Sequence, residues 1–201
     1  RQVNILNGAT LTVSVPMALD TVMMEEDAQV VFTATEGKFT ARSLRFAPLL
    51  SATGWKAFGM PFTSAVIKNS TEEEILAPSV QNVDNGIWFA RLKDNKTPEF
   101  VVDESAFGMA GLWAANGDTY TISSEGAFEF KTLEEPAAPT ETGTFLMCSN
   151  PNTFTITLKQ SAYILTTDGT SFEQEANPEI KPFQSFVLTD AKTLSTLRSL
   201  R

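Results

Sequence analysis

The sequence contains no histidine and a single cysteine, Cys148. Without imidazole there can be no Ser-His-Asp triad, no Cys-His dyad, no His-ligated zinc or iron and no histidine pH switch. One thiol excludes a Cys-rich zinc site, CxxC redox chemistry and any disulfide within the chain. Basic side chains are scarce too: 15 Lys and Arg stand against 24 Asp and Glu, a formal charge of −9. Nucleic acid needs a basic face, so this balance argues against it as a partner. Charged residues of both signs make up only 19% of the chain, below the roughly 25% of an average domain. No apolar run approaches the ~20 residues of a membrane-spanning helix. The cysteine poverty fits a cytosolic or a bacterial exported protein better than a small eukaryotic secreted domain.

Threonine fills much of the gap, with 25 residues among 201. It is β-branched and favours strands. The periodicity agrees, because it is dominated by two. Ala9, Leu11, Val13 and Val15 alternate with Thr10, Thr12 and Ser14. Ala28, Val30 and Phe32 alternate with Gln29, Val31 and Thr33, and Phe154, Ile156 and Leu158 with Thr155, Thr157 and Lys159. Each pattern predicts a half-buried strand, apolar side inward. Further strands are expected over Trp88–Leu92, Phe100–Val102, Thr119–Ser123, Ala127–Lys131, Thr144–Cys148, Ala162–Thr166 and Phe183–Leu188. Turn signals such as Asn7-Gly8, Asn85-Gly86, Asn116-Gly117 and Asp168-Gly169 separate them, since glycine supplies the positive φ of tight turns. Helix signals are confined to a short turn capped at Ser70 or Thr71 through Glu72–Glu74 and a segment after Asp190.

Asn7-Gly8-Ala9-Thr10-Leu11-Thr12-Val13 is echoed 19 residues later by Glu26-Asp27-Ala28-Gln29-Val30-Val31-Phe32. That spacing suits two rungs of a β-solenoid, which needs at least three repeats or something to pack against. Pro and Gly punctuate Pro48 through Gly54 and mark a boundary there. The expected architecture is therefore all-β: residues 1–46 as a strand segment, either terminal solenoid rungs or ordinary sandwich strands, and residues 47–201 as an antiparallel β-sandwich.

Three kinds of chemistry are worth weighing. Aromatic rings stack on sugars, and Trp113 stands beside the polar turn Ala115–Asp118 with Tyr120 close behind. Trp113, Asn116, Asp118 and Tyr120 are the candidate ligand-binding residues, whereas the alternation of Trp88 with Ala90 and Leu92, and of Tyr163 with Leu165, reads as core. A glycosidase can work with two carboxyl groups and no histidine; Glu72–Glu74, Asp103/Glu104 and Glu134/Glu135 are the pairs on offer. Calcium ligands are available at Asn116/Asp118 and Asp84/Asn85, but neither matches the spacing of a calcium loop. No catalytic residue, metal or cofactor is expected. Cys148 reads as a buried, inert thiol.

Several phrases together carry a resemblance: Gly54-Trp55 leading to Met60-Pro61-Phe62, Gly143-Thr144-Phe145-Leu146-Met147-Cys148-Ser149-Asn150-Pro151, Ser161-Ala162-Tyr163-Ile164-Leu165, and Ile180-Lys181-Pro182-Phe183-Gln184-Ser185-Phe186. Over residues 54–188 the chain resembles the C-terminal β-rich module of large secreted or surface proteins of Bacteroidetes-type bacteria, with Met60 where leucine is usual. The resemblance implies an extracytoplasmic address and attachment to upstream domains of the same polypeptide, often solenoids; separately, a chain that begins at Arg1 rather than Met reads as a processed or excised piece, from which any signal peptide or lipid anchor would already be gone. It carries no catalytic residues. The expected function is a non-catalytic structural or adhesive module that caps or presents a repeat array. Its partners would be those upstream domains and a glycan or a surface protein. A carbohydrate-binding module and a carboxylate-only glycosidase are the alternatives.

Overall fold

The computed structural model describes residues 1–33, 39–50, 54–59, 62, 65–75, 86–97, 99–102, 110–115, 117–190 and 197–198. Among them are twenty strands and no helix. The all-β expectation holds, and none of the sheets closes into a barrel.

The first strands are β1 (Gln2–Ile5), β2 (Thr10–Val13), β3 (Met17–Glu25), β4 (Gln29–Phe32) and β5 (Phe39–Ala47). They pair in parallel, whereas the antiparallel expectation concerned residues 47–201. β1 lies on β3 with Gln2 opposite Thr21, and β2 on β4 with Thr10 opposite Gln29, both offsets of 19 residues. β3 lies on β5 with Met17 opposite Phe39, an offset of 22. The chain thus visits one sheet, crosses to a second, and returns to the first one level further on. The 19-residue echo in the sequence is this register. Its turns match as well: Gly8 and Asp27, 19 residues apart, both adopt left-handed backbone at φ 71° and 59°. Asparagine and aspartate tolerate that region better than other side chains.

β3 and β5 each break their alternation at one shared level. The buried residues run Leu19, then Val22 and Met24 in β3, and Ala41, then Leu44 and Phe46 in β5. At the break stand Asp20 and Arg42, both exposed and joined as an ion pair at 3.4 Å. Both strands turn the same corner, and the two charged side chains point outward from it.

The next strands are β6 (Lys56–Phe58), β7 (Ala65–Lys68), β8 (Glu74–Ile75), β9 (Ile87–Leu92), β10 (Phe100–Val102), β11 (Gly111–Ala115), β12 (Thr121–Ser124) and β13 (Phe128–Phe130). β12 and β13 pair antiparallel with the far edge of β5, so the sheet reads β1-β3-β5-β12-β7-β8 with β13 beside β5. The sheet crosses the expected boundary at residue 46. A four-stranded sheet, β10-β9-β11-β6, is wholly antiparallel. The expected helical turn at Ser70–Glu74 is instead the connection from β7 to β8. The Asn69 carboxamide oxygen accepts from the Thr71 amide, the Thr71 hydroxyl and the Glu73 amide, and Glu72 sits at φ 62°, which no α-helix allows.

The last strands are β14 (Phe145–Ser149), β15 (Ile156–Thr157), β16 (Ala162–Leu165), β17 (Ser171–Glu175), β18 (Glu179–Ile180), β19 (Ser185–Thr189) and β20 (Leu197–Arg198). They form a five-stranded sheet, β14-β19-β16-β17-β20, and the pair β15-β18. The long strand expected over Phe154–Leu158 shrinks to two residues. The segment expected after Asp190 lies, up to residue 196, outside the described residues; the Asp190 carboxylate accepts from the Gly143 and Thr144 amides at 2.6 and 3.3 Å.

The core explains the composition of the middle strands. Val22, Met24, Leu44, Phe46, Ile67 and Ile122 of the seven-stranded sheet pack against Phe58, Phe89 and Trp113 of the four-stranded one. On its other face the four-stranded sheet packs Ala57, Ala90, Leu92, Phe100 and Leu112 against Phe145, Tyr163, Phe172 and Val187. A sheet covered on both faces has little polar alternation, and β11 accordingly reads Gly-Leu-Trp-Ala-Ala.

Candidate functional site: the bare edges of the first coil

The sequence-based ligand cluster does not assemble at the surface. Trp113 is completely buried. Its indole N–H donates to the Phe58 carbonyl at 3.1 Å, and the rings of Phe58 and Phe89 meet it edge to face at 5.6 and 4.9 Å. Tyr120 is 2% exposed and its hydroxyl donates to the Gly86 carbonyl; burial, and then the nearby Asp118, pushes its pKa up. Asp118 is half-buried. A hydrogen bond from the Ser70 hydroxyl, followed by the Thr119 amide, holds its carboxyl below the usual range. Asn116 lies outside the described residues. β11 is an interior strand between β9 and β6, so both of its faces belong to the core. The expectation that Trp113 and Tyr120 present a stacking surface is corrected by that placement. The missing polar alternation of residues 111–115 was the available signal.

The carboxylate pairs fare similarly. Glu72, Glu73 and Glu74 are exposed on a turn. Glu135 accepts from the Lys159 amide at 2.8 Å, a tie between loops. Asp103/Glu104 and Asp84/Asn85 lie outside the described residues. Cys148 is buried, and desolvation pushes its thiol up to about 12.

What the fold does leave open is the first level of the parallel coil. β1 is an outer strand of its sheet, and β2 is one of only two strands in its own. Among the described residues neither has a partner on its outer side. The sequences Gln-Val-Asn-Ile and Thr-Leu-Thr-Val carry no charge and no proline, the devices that normally blunt a strand edge. Leu6 and Val15, which follow the two strands, are 60% and 58% exposed. Val3 and Leu11 are only partly covered, although they pack on the main core.

The opposite end of the coil is shut. On one side β12 and β13 occupy the far edge of β5 and reverse the strand direction. On the other, the Val30 amide donates to the Thr153 carbonyl at 2.7 Å, the Thr153 hydroxyl returns a bond to the Val30 carbonyl at 3.0 Å, and the Thr155 amide donates to the Gln29 carboxamide. Lys181 adds an ion pair to Asp27 at 2.7 Å. Behind this lies a buried polar hub. The Asn150 carboxamide donates to the carbonyls of Phe154, Ile180 and Lys181 and accepts twice from Asn152. Asn152 bonds both the amide and the carbonyl of Leu133.

The corner of the coil carries a charge pair. There the Arg42 guanidinium pairs with the Asp20 carboxylate at 3.4 Å. A shallow groove of about 320 Å³ runs over this corner, lined by Ala18, Asp20, Thr40, Arg42 and Ala127.

No protein-family model, curated protein or solved structure matches this chain.

Proposed function

We propose that the chain is the non-catalytic closing module of a β-solenoid, part of a secreted or surface protein. Its first coil would receive further strands of the same polypeptide from its N-terminal side. The observation that carries this reading is the asymmetry of the parallel stack. One end is terminated twice over, by antiparallel strands on β5 and by the Thr153 segment on β4. The other end presents two uncharged edges with exposed Leu6 and Val15 beside them. A strand edge that can pair and is not blunted is a template for another strand, and repeat arrays need a terminal unit that is not. The antiparallel remainder, with three sheets in face-to-face contact through two clusters, acts as the sandwich-like plug. The extracytoplasmic setting is taken from the family resemblance.

Hydrogen exchange tests the reading. In the isolated chain the outward amides of β1 and β2 should exchange within the fastest class, alongside loop amides. In the parent polypeptide they should join the protected amides of β3 and β4. Equal exchange in both would refute the reading.

A further inference from the structure

The register of the four-stranded sheet sets two tryptophans side by side. Trp88 stands opposite Ala114, and Lys56 opposite Trp113. Trp55 immediately precedes β6, and continuing that register by one residue puts it level with Ala114 on the other side. The row therefore reads Trp55–Ala114–Trp88, two residues on adjacent strands and one just before the third. It lies on the same face as Ala57, Leu112 and Ala90, one row further along, which are buried against the five-stranded sheet. Trp55, Ala114 and Trp88 are all only half-buried, so the row forms the rim where that covering stops.

These indoles differ from Trp113. A buried indole normally finds a partner for its N–H and packs its ring closely, as Trp113 does. Trp55 packs partly against the cluster between the four- and five-stranded sheets, but among the described residues neither the Trp55 nor the Trp88 indole makes a side-chain hydrogen bond or a ring contact. Both half-buried indoles are thus left with an unpaired N–H. The backbone of Trp55 is nonetheless fixed. The Asp168–Gly169 turn presses on it so closely that a Cβ at Gly169 would lie 2.4 Å from the Trp55 carbonyl. The same turn carries the Asp168 carboxylate, which accepts from Thr166 and Thr170.

We propose that the Trp55–Ala114–Trp88 row is a stacking platform for an extended β-1,4-linked glycan. Adjacent strands lie about 4.8 Å apart, so residues two strands away are separated by about 9.6 Å. In an extended β-1,4 chain successive pyranose rings turn over, and every second ring presents the same apolar face at close to that repeat. One such ring lies on each indole, and the ring between them passes over the small Ala114. Hydroxyls at the ring edges meet the indole N–H groups and Asp168. Aromatic faces with few, placed polar groups are the usual make-up of a small-ligand site. This inference is independent of the closing role: it uses a different sheet and would survive its failure.

The test uses the whole chain with cellohexaose and chitohexaose as probes and maltohexaose, which curves, as the control. Either extended hexaose should shift tryptophan emission and protect Trp55 and Trp88, located by peptide mass spectrometry, from N-bromosuccinimide oxidation. Trp88→Ala and Ala114→Leu should each weaken binding at least ten-fold, with circular dichroism confirming the fold. The oxidation experiment needs no variant and stands if a variant fails to fold. Equal oxidation of both indoles with and without each extended hexaose would overturn the proposal. So would an Ala114→Leu protein that binds like the wild type, or maltohexaose binding as tightly as the extended chains.

Discussion

Asn150 is the residue whose loss should be felt most widely for its size. It is completely buried. Its amide group serves the carbonyls of Phe154, Ile180 and Lys181 at 2.8, 3.0 and 3.1 Å, and its oxygen accepts the Asn152 backbone and side-chain N–H at 2.9 and 3.1 Å. Alanine at 150 removes all five contacts and leaves the partners enclosed. A buried hydrogen bond contributes about 1 kcal/mol net, and an orphaned buried polar group costs about 1–3 kcal/mol. Shared geometry makes these less than additive, so the expected loss is about 3–5 kcal/mol against a total stability of about 5–15 kcal/mol. Urea denaturation followed by circular dichroism reads it directly. Asn150→Asp refines the test. It keeps the acceptor for Asn152 but turns a carboxylate toward three carbonyls, which raises its folded pKa. Its extra penalty is therefore absent below the unfolded value of about 3.9, grows as pH rises from there toward the folded value, and is complete above it. Measured against the wild type at each pH, Asn150→Asp should be worse than Asn150→Ala at neutrality and recover in acid. A loss below about 1 kcal/mol for Asn150→Ala, or no recovery of Asn150→Asp in acid, would refute the assignment of this side chain as the organiser of the closing segment.

Three further outcomes follow from single contacts. Gly169→Ala combines φ 70° with a Cβ 2.4 Å from the Trp55 carbonyl and should cost about 1–3 kcal/mol, seen as a lowered melting temperature; an unchanged melt would deny the close approach. Cys148, with its thiol pushed up to about 12, should resist Ellman's reagent in the native chain at mildly alkaline pH and react once guanidinium unfolds it, whereas prompt native labelling would contradict its burial. Asp94, Asp118 and Asp168 have carboxyls held low, in each case first by a hydrogen bond: from the Lys96 amide, the Ser70 hydroxyl and the Thr166 hydroxyl respectively. Their contribution is present above about pH 3.9 and is lost as pH falls through the depressed folded values. Asp168→Asn should therefore flatten the acid side of the stability profile, and a profile parallel to the wild type would count against it.

The repeat was legible because parallel stacking places residues of equal character above one another: Leu11 on Val30 and Val13 on Phe32. Such matching leaves a trace at a fixed offset. Alternation alone did not give the pairing direction, since outward Thr and inward aliphatics alternate the same way in either kind of ladder; for the first strands only the 19-residue echo pointed to it. The two longest strands, β3 and β5, were missed outright. Their alternation slips at Asp20 and Arg42, so Leu19 and Val22, or Ala41 and Leu44, fall three apart and read as no strand at all. The site was misread for a related reason. Trp113 was judged by the polar turn that follows it, yet its neighbours Leu112 and Ala115 are both apolar and buried, the mark of a strand covered on two faces. Trp55 precedes its strand and Trp88 alternates like a core residue. What sets them in one row with Ala114 between is the pairing of β6, β11 and β9, which no local pattern encodes.

The difference between the two ends of the parallel coil has a structural cause that can be followed along the chain. From β1 to β3 and from β2 to β4 the register advances by 19 residues, but from β3 to β5 it advances by 22. The three extra residues fall after β4, because β2 and β4 still keep the shorter offset. β5 then has no successor in the smaller sheet: the edge of β4 that a third level would use is bonded to Thr153 instead. Antiparallel β12 and β13 on β5 finish the larger sheet, and they take separate parts of that edge, Arg45–Phe46 and Phe39–Ala41, on either side of the corner. A further parallel level at this end would have to displace both. At the other end, among the described residues, a further level has nothing to displace. Its strands would meet Gln2, Asn4, Thr10 and Thr12, which are exposed, and would cover Val3 and Leu11, whose partial exposure is otherwise apolar area left in water at about 25 cal/mol per Å². The two ends of the coil thus differ among the described residues, one covered and one uncovered, which is the difference the proposed closing module requires.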